Sequence, residues 1–191
     1  MARGEGRPLR ADAQRNRDKI LAAAVRVFAE QGLDAHLERI AKEAGVGAGT
    51  FYRNFPTREL LIEAVYRDEL ARLCDAAPDL LETLPPRAAL RAWMGRFIDY
   101  ANAKLGMADA LRAVVASGVN LHAQSHEMIQ AALSRLMDAA VAAGTIRSDI
   151  GAADLFAGLT GIALAAGKPE QREQAERLLD LTLDGLSAGR S

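Results

Sequence analysis

Four side chains that form hydrogen bonds or carry positive charge lie close together between positions 50 and 54. They are the hydroxyl groups of Thr50 and Tyr52, the guanidinium of Arg53 and the amide of Asn54. Such groups suit DNA phosphates and base edges better than a protein core. Their spacing suggests a helix that contacts DNA.

The segment around these residues has the layout of a helix-turn-helix. The sequence ERIAKEA is followed directly by GVGAGTFYRNF, which predicts a helix, a glycine turn and a second helix. Gly45 suits the turn because glycine adopts the left-handed backbone that often ends a helix. The apolar residues expected to be buried are Ile40, Ala41, Ala44, Val46 and Phe51.

The flanking sequence supports a DNA-binding domain over an ordinary helical hairpin, which also occurs in all-α proteins that never contact DNA. Thr57 is a good N-cap for the next helix, and Arg58 would lie at the edge of the same surface as Tyr52. A preceding helix repeats apolar residues at helical spacing, so a three-helix domain can close around the motif. Those residues are Ile20, Ala24, Val27 and Phe28, and they would pack on Ile40, Val46, Phe51 and Phe55.

Residues 12 to about 70 resemble the DNA-binding region of the TetR family of bacterial transcriptional regulators. The resemblance rests on four motifs in order, which are ILAAAVRVFAEQGLDA, IAKEAGV, GTFYRNF and PTRELLIEAVY. It implies that Tyr52 contacts a phosphate and that Arg58 and Asn54 help to clamp the DNA backbone. It also implies that Gly49, Thr50 and Arg53 lie against the groove.

Two positions depart from the family pattern. Members often have Ser or Thr at the start of the second helix and Ser-Lys or Ser-Pro at the entry to the third. This chain has Ala35-His36 and Gly47-Ala48 instead. The phosphate contacts that those family residues make are therefore not carried over.

Charge is distributed unevenly along the 191 residues. Residues 1–58 carry 11 Lys or Arg against 7 Asp or Glu, whereas residues 59–191 carry 13 against 18. Because phosphate neutralisation supplies much of DNA affinity, the basic part is the expected DNA side. Residues 1–11 predict a disordered basic arm, and an arm that touches DNA is the alternative. Much of the excess positive charge of residues 1–58 comes from Arg3, Arg7, Arg10, Arg15, Arg17 and Lys19.

A single cysteine, Cys74, excludes a disulfide within the chain. No stretch approaches the roughly 20 apolar residues that span a bilayer, and the first ten residues lack the apolar core of a signal peptide. These features predict a cytoplasmic protein that does not bind a membrane. Cys74 is expected to be a buried or half-buried small residue.

The remaining chain predicts an all-α second domain with no β pattern. We expect a connecting helix over 58–74, interruption by Pro78, Pro85 and Pro86, and then an effector-binding and dimerisation domain over 75–191, with the helix-turn-helix domain over 12–57. Further helices are predicted from Pro86, over Met107–Ser117, Ser125–Ala143, Ala152–Ala166 and Glu170–Leu186. Gly144 is the expected stop of the third of these.

The last two helices carry more apolar surface than one small domain easily covers, which suggests a homodimer. The residues predicted for the dimer interface are Leu155, Leu159, Gly161, Ile162, Leu178, Thr182 and Leu186. The TetR resemblance implies that these helices pair with their symmetry mates in a four-helix bundle. A symmetric dimer would bind a near-palindromic operator.

Aromatic and other apolar residues of the second domain could line a pocket for an effector, although a Met or aromatic residue at helical spacing normally belongs to the core. The candidates are Trp93, Phe97, Tyr100, Met107, Leu111, Val115, His122, Met128 and Phe156. His122 and His126 are four residues apart but lack a third ligand at the usual spacing, so we predict no metal site. We also predict no cofactor.

Three functions remain for comparison. The first is a DNA-binding repressor that a small, largely apolar effector releases from its operator. The second is a constitutive DNA-binding protein, which would tend to be basic throughout. The third is an enzyme, for which the sequence offers no nucleophile with a base, no phosphate-binding loop and no carboxylate pair in a motif. The acidic, apolar second domain favours the repressor.

Overall fold

The computed structural model describes residues 6–107, 111, 121–166 and 169–188. Helices dominate this part of the chain, which contains no β-strand apart from an isolated bridge between Ile146 and Ser187. This confirms the all-α prediction. The helices are α1 (Gly6–Gln31), α2 (Leu37–Glu43), α3 (Ala48–Asn54), α4 (Arg58–Thr83), α5 (Pro86–Gly106), α6 (Leu121–Ala142), α7 (Ala152–Ala166) and α8 (Arg172–Gly185). A short 3₁₀ turn over Pro169–Gln171 precedes α8.

The chain divides into two compact units, and the division falls between Asp68 and Glu69, inside α4. The predicted domain boundaries lie instead at the two ends of a connecting helix over 58–74. Of the predicted helix Met107–Ser117, only Met107 and Leu111 lie within the described residues, and both are buried and grouped with the first unit.

The first unit contains α1, α2 and α3, together with the first part of α4, Met107 and Leu111. Helix α1 packs against both α2 and α3. The buried residues include Ile20, Ala24, Val27 and Phe28 from α1, Ile40 from α2, and Phe51 and Phe55 from and after α3. Apolar residues at helical spacing thus close a core under the helix-turn-helix.

The first helix begins at Gly6, earlier than the predicted disordered arm over 1–11 allows. The correction covers residues 6–11, while residues 1–5 lie outside the described part. Asp12 pairs with Arg15, and Gln14 donates to Asp18 at 2.8 Å, so the first turns of the helix carry the i,i+3 and i,i+4 contacts that favour helix propagation.

The turn between α2 and α3 has the geometry expected from its glycine. Gly45 has φ +66°, in the left-handed region that favours glycine. Its amide donates to the carbonyl of Lys42 at 3.1 Å, and the amide of Val46 donates to the carbonyl of Ala41 at 3.0 Å. These bonds satisfy carbonyls at the end of α2 and start α3 in a new direction.

Helix α4 continues through Pro78 to Thr83, whereas the sequence analysis ended it near Cys74. A proline inside a helix removes one backbone hydrogen bond and disfavours the helix by about 3 kcal/mol. Buried Leu73, Ala77 and Leu80 surround this position and pack into the second unit. We attribute the continuation to this packing, which offsets the local penalty.

The second unit holds the core of α5 to α8. Helix α7 packs against α6 and α8, and its bounds Ala152–Ala166 agree with the predicted ones. Helix α6 starts at Leu121, earlier than predicted, and ends at Ala142. Just beyond it, Gly144 has φ +66° and donates its amide to the carbonyl of Val141 at 2.8 Å, as expected for a helix stop.

Candidate nucleic-acid interface

Helix α3 presents two chemically different faces. Phe51 is fully buried and Phe55, just past the helix, is 1% exposed, so these rings anchor the helix to the first unit. Tyr52 is 41% exposed, and its ring meets that of Phe51 edge-on with the centroids 5.4 Å apart. Because adjacent helical residues point in different directions, Phe51 holds the helix while Tyr52 faces outward.

Arg53 is exposed but ordered by its own helix. Its Nε donates to the carbonyl oxygen of Gly49 at 3.1 Å, and its Nη2 lies 3.2 Å from Thr50 Oγ1. These contacts bring the guanidinium and the Thr50 hydroxyl together on one side of α3. Gly49, Thr50 and Arg53, which were predicted to lie against the groove, therefore form a single donor-rich patch on α3.

Asn54 and Arg58 make contacts within the protein. Asn54 is partly buried, and its Nδ2 donates to the carbonyl of Thr50 at 2.8 Å. Arg58 is half-buried, and its Nη1 donates to the carbonyl of Leu33 in the connection between α1 and α2. Both residues thus stabilise the domain, and any contact with a DNA backbone would use their remaining donors.

The helix ends near this surface differ in their capping. Thr57 Oγ1 accepts a hydrogen bond from the amide of Leu60 at 3.3 Å, which confirms it as the N-cap of α4. His36 and Gly47 occupy the N-cap positions of α2 and α3, and neither makes a side-chain capping bond. These are the two places where the sequence departs from the family pattern.

Glu38, which the sequence analysis did not select, lies at the same surface. Its Oε1 accepts a hydrogen bond from the Tyr52 hydroxyl at 3.1 Å. The pKa of Glu38 is held below its ordinary value, first by a hydrogen bond from its own backbone amide and then by Tyr52. The same contact raises the pKa of Tyr52. Glu38 is 14 residues from Tyr52 in the chain, so no local pattern signals the pair.

Arg17 on α1 is a second residue that the sequence analysis did not assign to a contact. Its guanidinium carbon lies 4.7 Å from the centroid of the Phe55 ring, which is cation–π distance. Arg17 appeared in the sequence only as one of several basic residues. The two residues are 38 positions apart, and this contact exists because α1 packs beside the end of α3.

In the second unit, three of the predicted pocket residues border one cavity of about 170 Å³. Phe97 lies between Tyr100 and Phe156, with ring centroids 6.3 Å and 5.7 Å away. The hydroxyl of Thr160 donates to the carbonyl of Phe156 at 2.9 Å, which leaves the wall largely apolar. The lining residues are Phe97, Tyr100, Ala101, Lys104, Ile129, Phe156, Thr160, Ala163 and Leu164.

The other predicted pocket residues that the structure describes do not border this cavity. Trp93 is fully buried, stacks on Phe97 at 6.0 Å and donates its Nε1 hydrogen to the carbonyl of Leu73 at 2.8 Å, so it is a core residue. Met128 is half-buried and does not border the cavity. Met107 and Leu111 are buried residues grouped with the first unit. Val115 and the side chain of His122 lie outside the described residues.

No group of three or more His, Cys, Asp or Glu side chains in the described part of the chain could hold a metal ion. The exposed His126 instead meets the ring of Phe156 edge-on at 4.9 Å. Cys74 is half-buried, as expected, and desolvation together with neighbouring Asp75 raises the pKa of its thiol to about 11. It is therefore a protonated, weakly nucleophilic thiol at neutral pH.

Several residues of the predicted dimer surface on α7 and α8 are buried within the single chain. Leu155, Leu159, Ile162 and Leu186 are buried inside the second unit, where they form its own core. Leu178 and Thr182 are half-buried and Gly161 is exposed. The large exposed apolar residues on these helices are Leu164, at 68%, and Leu181, at 69%, neither of which was predicted for the interface.

The described helices include none long and apolar enough to cross a membrane.

Comparison with protein families identifies both parts of the chain. Residues 20–65 match the model described as bacterial regulatory proteins of the tetR family. Residues 85–188 match the model described as the C-terminal domain of SbtR-like transcriptional regulators.

The chain is similar over nearly its whole length to solved regulators. A TetR transcriptional regulator from Streptomyces coelicolor is 71% identical, with a TM-score of 0.86, over 91% of this chain and 99% of that one. A TetR transcription regulatory protein from Mycobacterium vanbaalenii is 38% identical, with a TM-score of 0.77, over 94% and 99%. These matched proteins are transcriptional regulators, not enzymes.

A curated relative matches over a shorter region. An uncharacterized HTH-type transcriptional regulator from Bacillus subtilis is 42% identical over 59 residues, which is 30% of this chain and 30% of the relative. The likeness to this protein is thus limited to a segment of the length of a DNA-binding domain.

Proposed function

This chain belongs to the TetR family of bacterial regulatory proteins, and from that premise we propose that it is a repressor that binds a near-palindromic operator as a homodimer. A small, largely apolar effector releases it. Its site of action is the cytoplasm, where the operator is.

The observation that carries the DNA-binding proposal is the division of α3 into a buried anchor and an exposed donor-rich face. With Phe51 fixed in the core, Tyr52 and the Arg53–Thr50 pair are held at the surface. Tyr52 and Arg58 contact phosphates, which position the protein without reading sequence. Arg53 and Thr50 lie nearer the bases, Gly49 allows close approach, and Asn54 supports the backbone clamp.

The dimer proposal now rests on the exposed parts of α7 and α8. Leu164 and Leu181 are both more than two-thirds exposed in one chain, and exposed Gly161 lies one turn from Leu164. Exposed apolar side chains of this size beside a small residue suit close helix packing against a second copy. A dimer formed there would present two recognition helices to two half-sites.

The effector proposal rests on the cavity around Phe97, Tyr100 and Phe156. Its volume of about 170 Å³ resembles that of an apolar protein cavity of about 150 Å³ that binds benzene. Three aromatic rings and apolar neighbours favour a compact, largely apolar molecule. An effector releases the protein only by binding its DNA-free conformation more tightly.

The first experiment selects bound sequences from genomic DNA and measures affinity for the recovered operator. Tyr52→Phe and Arg58→Ala should weaken binding to all sequences, and Arg58→Ala should reduce the salt dependence. Arg26→Ala is the control for the loss of one positive charge, because Arg26 is an exposed cation that pairs with Glu43 at 3.3 Å. Unchanged binding after both Tyr52 and Arg58 are replaced would contradict the proposed surface.

The second experiment screens metabolites and drugs for binding and for release from the operator. By linkage, operator DNA should weaken effector binding by the same factor by which the effector weakens DNA binding. Phe156→Ala should impair release more than DNA binding, because Phe156 borders the cavity in the second unit. Compounds that bind the protein without shifting operator affinity would argue against release.

A constitutive DNA-binding regulator is the second candidate. The cavity is smaller than the roughly 300–1,000 Å³ of most ligand sites, and this small size favours the alternative. Two results would support constitutive DNA binding. No compound would alter operator binding, and larger side chains at the cavity residues would leave regulation unchanged.

A further inference from the structure

A carboxylate contacts the residue to which we assign a phosphate contact. Glu38 is exposed in the first turn of α2, and its Oε1 accepts the hydrogen bond of the Tyr52 hydroxyl at 3.1 Å. A tyrosine hydroxyl has a single hydrogen to donate. It cannot direct that hydrogen to Glu38 and to a DNA phosphate at the same time.

We propose that Glu38 limits the affinity for DNA by competing with a phosphate for the hydroxyl of Tyr52. In the free protein Glu38 holds this hydroxyl, and DNA binding transfers the hydrogen bond from the carboxylate to the phosphate. The released carboxylate then lies near the phosphate, and two like charges repel each other at short range. This inference rests on the proposed phosphate contact of Tyr52.

The surroundings of Glu38 keep it ionised and able to compete. Besides the hydrogen bonds from its own amide and from Tyr52, electrostatic interactions with His36 and with the guanidinium of Arg58 lower its pKa. At neutral pH the carboxylate is therefore charged. A charged acceptor makes a stronger hydrogen bond than a neutral one, so the Tyr52 hydroxyl is held until an equally charged phosphate replaces it.

Other acidic residues of the first unit provide matched controls. Glu43 lies on the same short helix, and its carboxylate pairs with Arg26 at 3.3 Å. Glu43→Gln changes the net charge by the same amount as Glu38→Gln and introduces the same side chain. Comparing the two variants separates a general charge effect from competition at Tyr52.

The test measures dissociation constants by fluorescence anisotropy, with the selected operator duplex and with a non-specific duplex of equal length at one salt concentration. Glu38→Gln should tighten binding about 3- to 10-fold, while Glu43→Gln should change it less than about 2-fold. Both duplexes should show the gain, because a phosphate contact carries no sequence information. In the Tyr52→Phe background the gain from Glu38→Gln should be at least about halved, since the contested hydrogen is absent.

Three outcomes would overturn the inference while leaving the proposed phosphate contact of Tyr52 intact. They are an equal gain for Glu38→Gln and Glu43→Gln, weaker binding by Glu38→Gln, and an undiminished gain in the Tyr52→Phe background. Weaker binding would mean that Glu38 positions Tyr52 for DNA. If Tyr52→Phe alone leaves affinity unchanged, the phosphate contact of Tyr52 fails first and the inference fails with it. Thermal unfolding of each variant confirms that the fold is unchanged.

Discussion

Helices α3 and α7 differ in how far their residue types reveal which side faces outward. Helix α3 has a buried aromatic at Phe51 and polar or charged residues at 52 to 54, so its two faces differ chemically. Helix α7 is apolar or small almost all round, and Leu159 is buried while Leu164 is 68% exposed. An amphipathic sequence thus shows which side of a helix is exposed. In a uniformly apolar helix, the exposed side is determined by the helices that pack against it.

The largest effect should come from removing the anchor of α3. Phe51→Ala should lower the free energy of unfolding by about 3–5 kcal/mol, because a fully buried phenyl ring leaves a cavity. Urea denaturation measures this change. Tyr52→Phe, on the neighbouring exposed position, should change it by less than about 0.5 kcal/mol. Similar losses in the free energy of unfolding for both variants would contradict the difference between the buried and exposed faces of α3.

A charge on the exposed face of α8 should be the next largest effect. Leu181→Glu would bury an unpaired carboxylate twice in a symmetric interface, so the dimer dissociation constant should rise at least about 100-fold. Analytical ultracentrifugation at micromolar concentration detects this. Leu84→Glu, the same change at another exposed leucine, should leave the dimer intact. A stable Leu181→Glu dimer would place the interface elsewhere and leave Leu164 and Leu181 unexplained.

A smaller effect should distinguish the residues of α3 that lie near the bases, Thr50 and Arg53, from Tyr52, which contacts a phosphate. Arg53→Ala should cost about 1–3 kcal/mol in operator binding and change the preferred bases, as should Thr50→Ala. Competition binding with single-base operator variants measures the preference. If Arg53→Ala weakens all duplexes equally, Arg53 belongs with the phosphate contacts.

The smallest effect concerns a polar contact of the apolar second unit. Arg91 donates from Nε to Asp180 and from Nη2 to Glu176, each at 2.6 Å, and so ties α5 to α8. These hydrogen bonds lower the pKa of both carboxylates. Because the folded state binds their protons less readily, the stabilisation is present above the ordinary carboxylate pKa and is lost as the pH falls through the lowered values.

Arg91→Met should therefore lower the Tm at pH 7 slightly, by roughly 2 °C, since exposed ion pairs are screened by water. The decrease in Tm on acidification should also be smaller in this variant than in the wild type. Calorimetry at several pH values measures both changes. Arg135→Met, at an exposed arginine of α6, serves as the control. An identical acid dependence in wild type and Arg91→Met would show that other groups cause it.

Local sequence was sufficient for the elements whose signals lie within a few residues. Gly45 predicted the left-handed turn, Thr57 predicted the cap of α4, and the apolar run of α7 predicted its bounds. The motifs around GTFYRNF predicted the family that the comparisons confirm. Each of these depends on backbone geometry or spacing that one short segment contains.

Packing between distant segments decided the rest. Pro78 reads as a helix breaker, yet neighbouring buried side chains keep α4 helical to Thr83. The hydrogen bond from Tyr52 to Glu38 joins residues whose types alone suggested no partnership. Which leucine of α7 is buried depends on where α6 and α8 lie, because the free energy of burial depends on the surroundings and not on residue type alone.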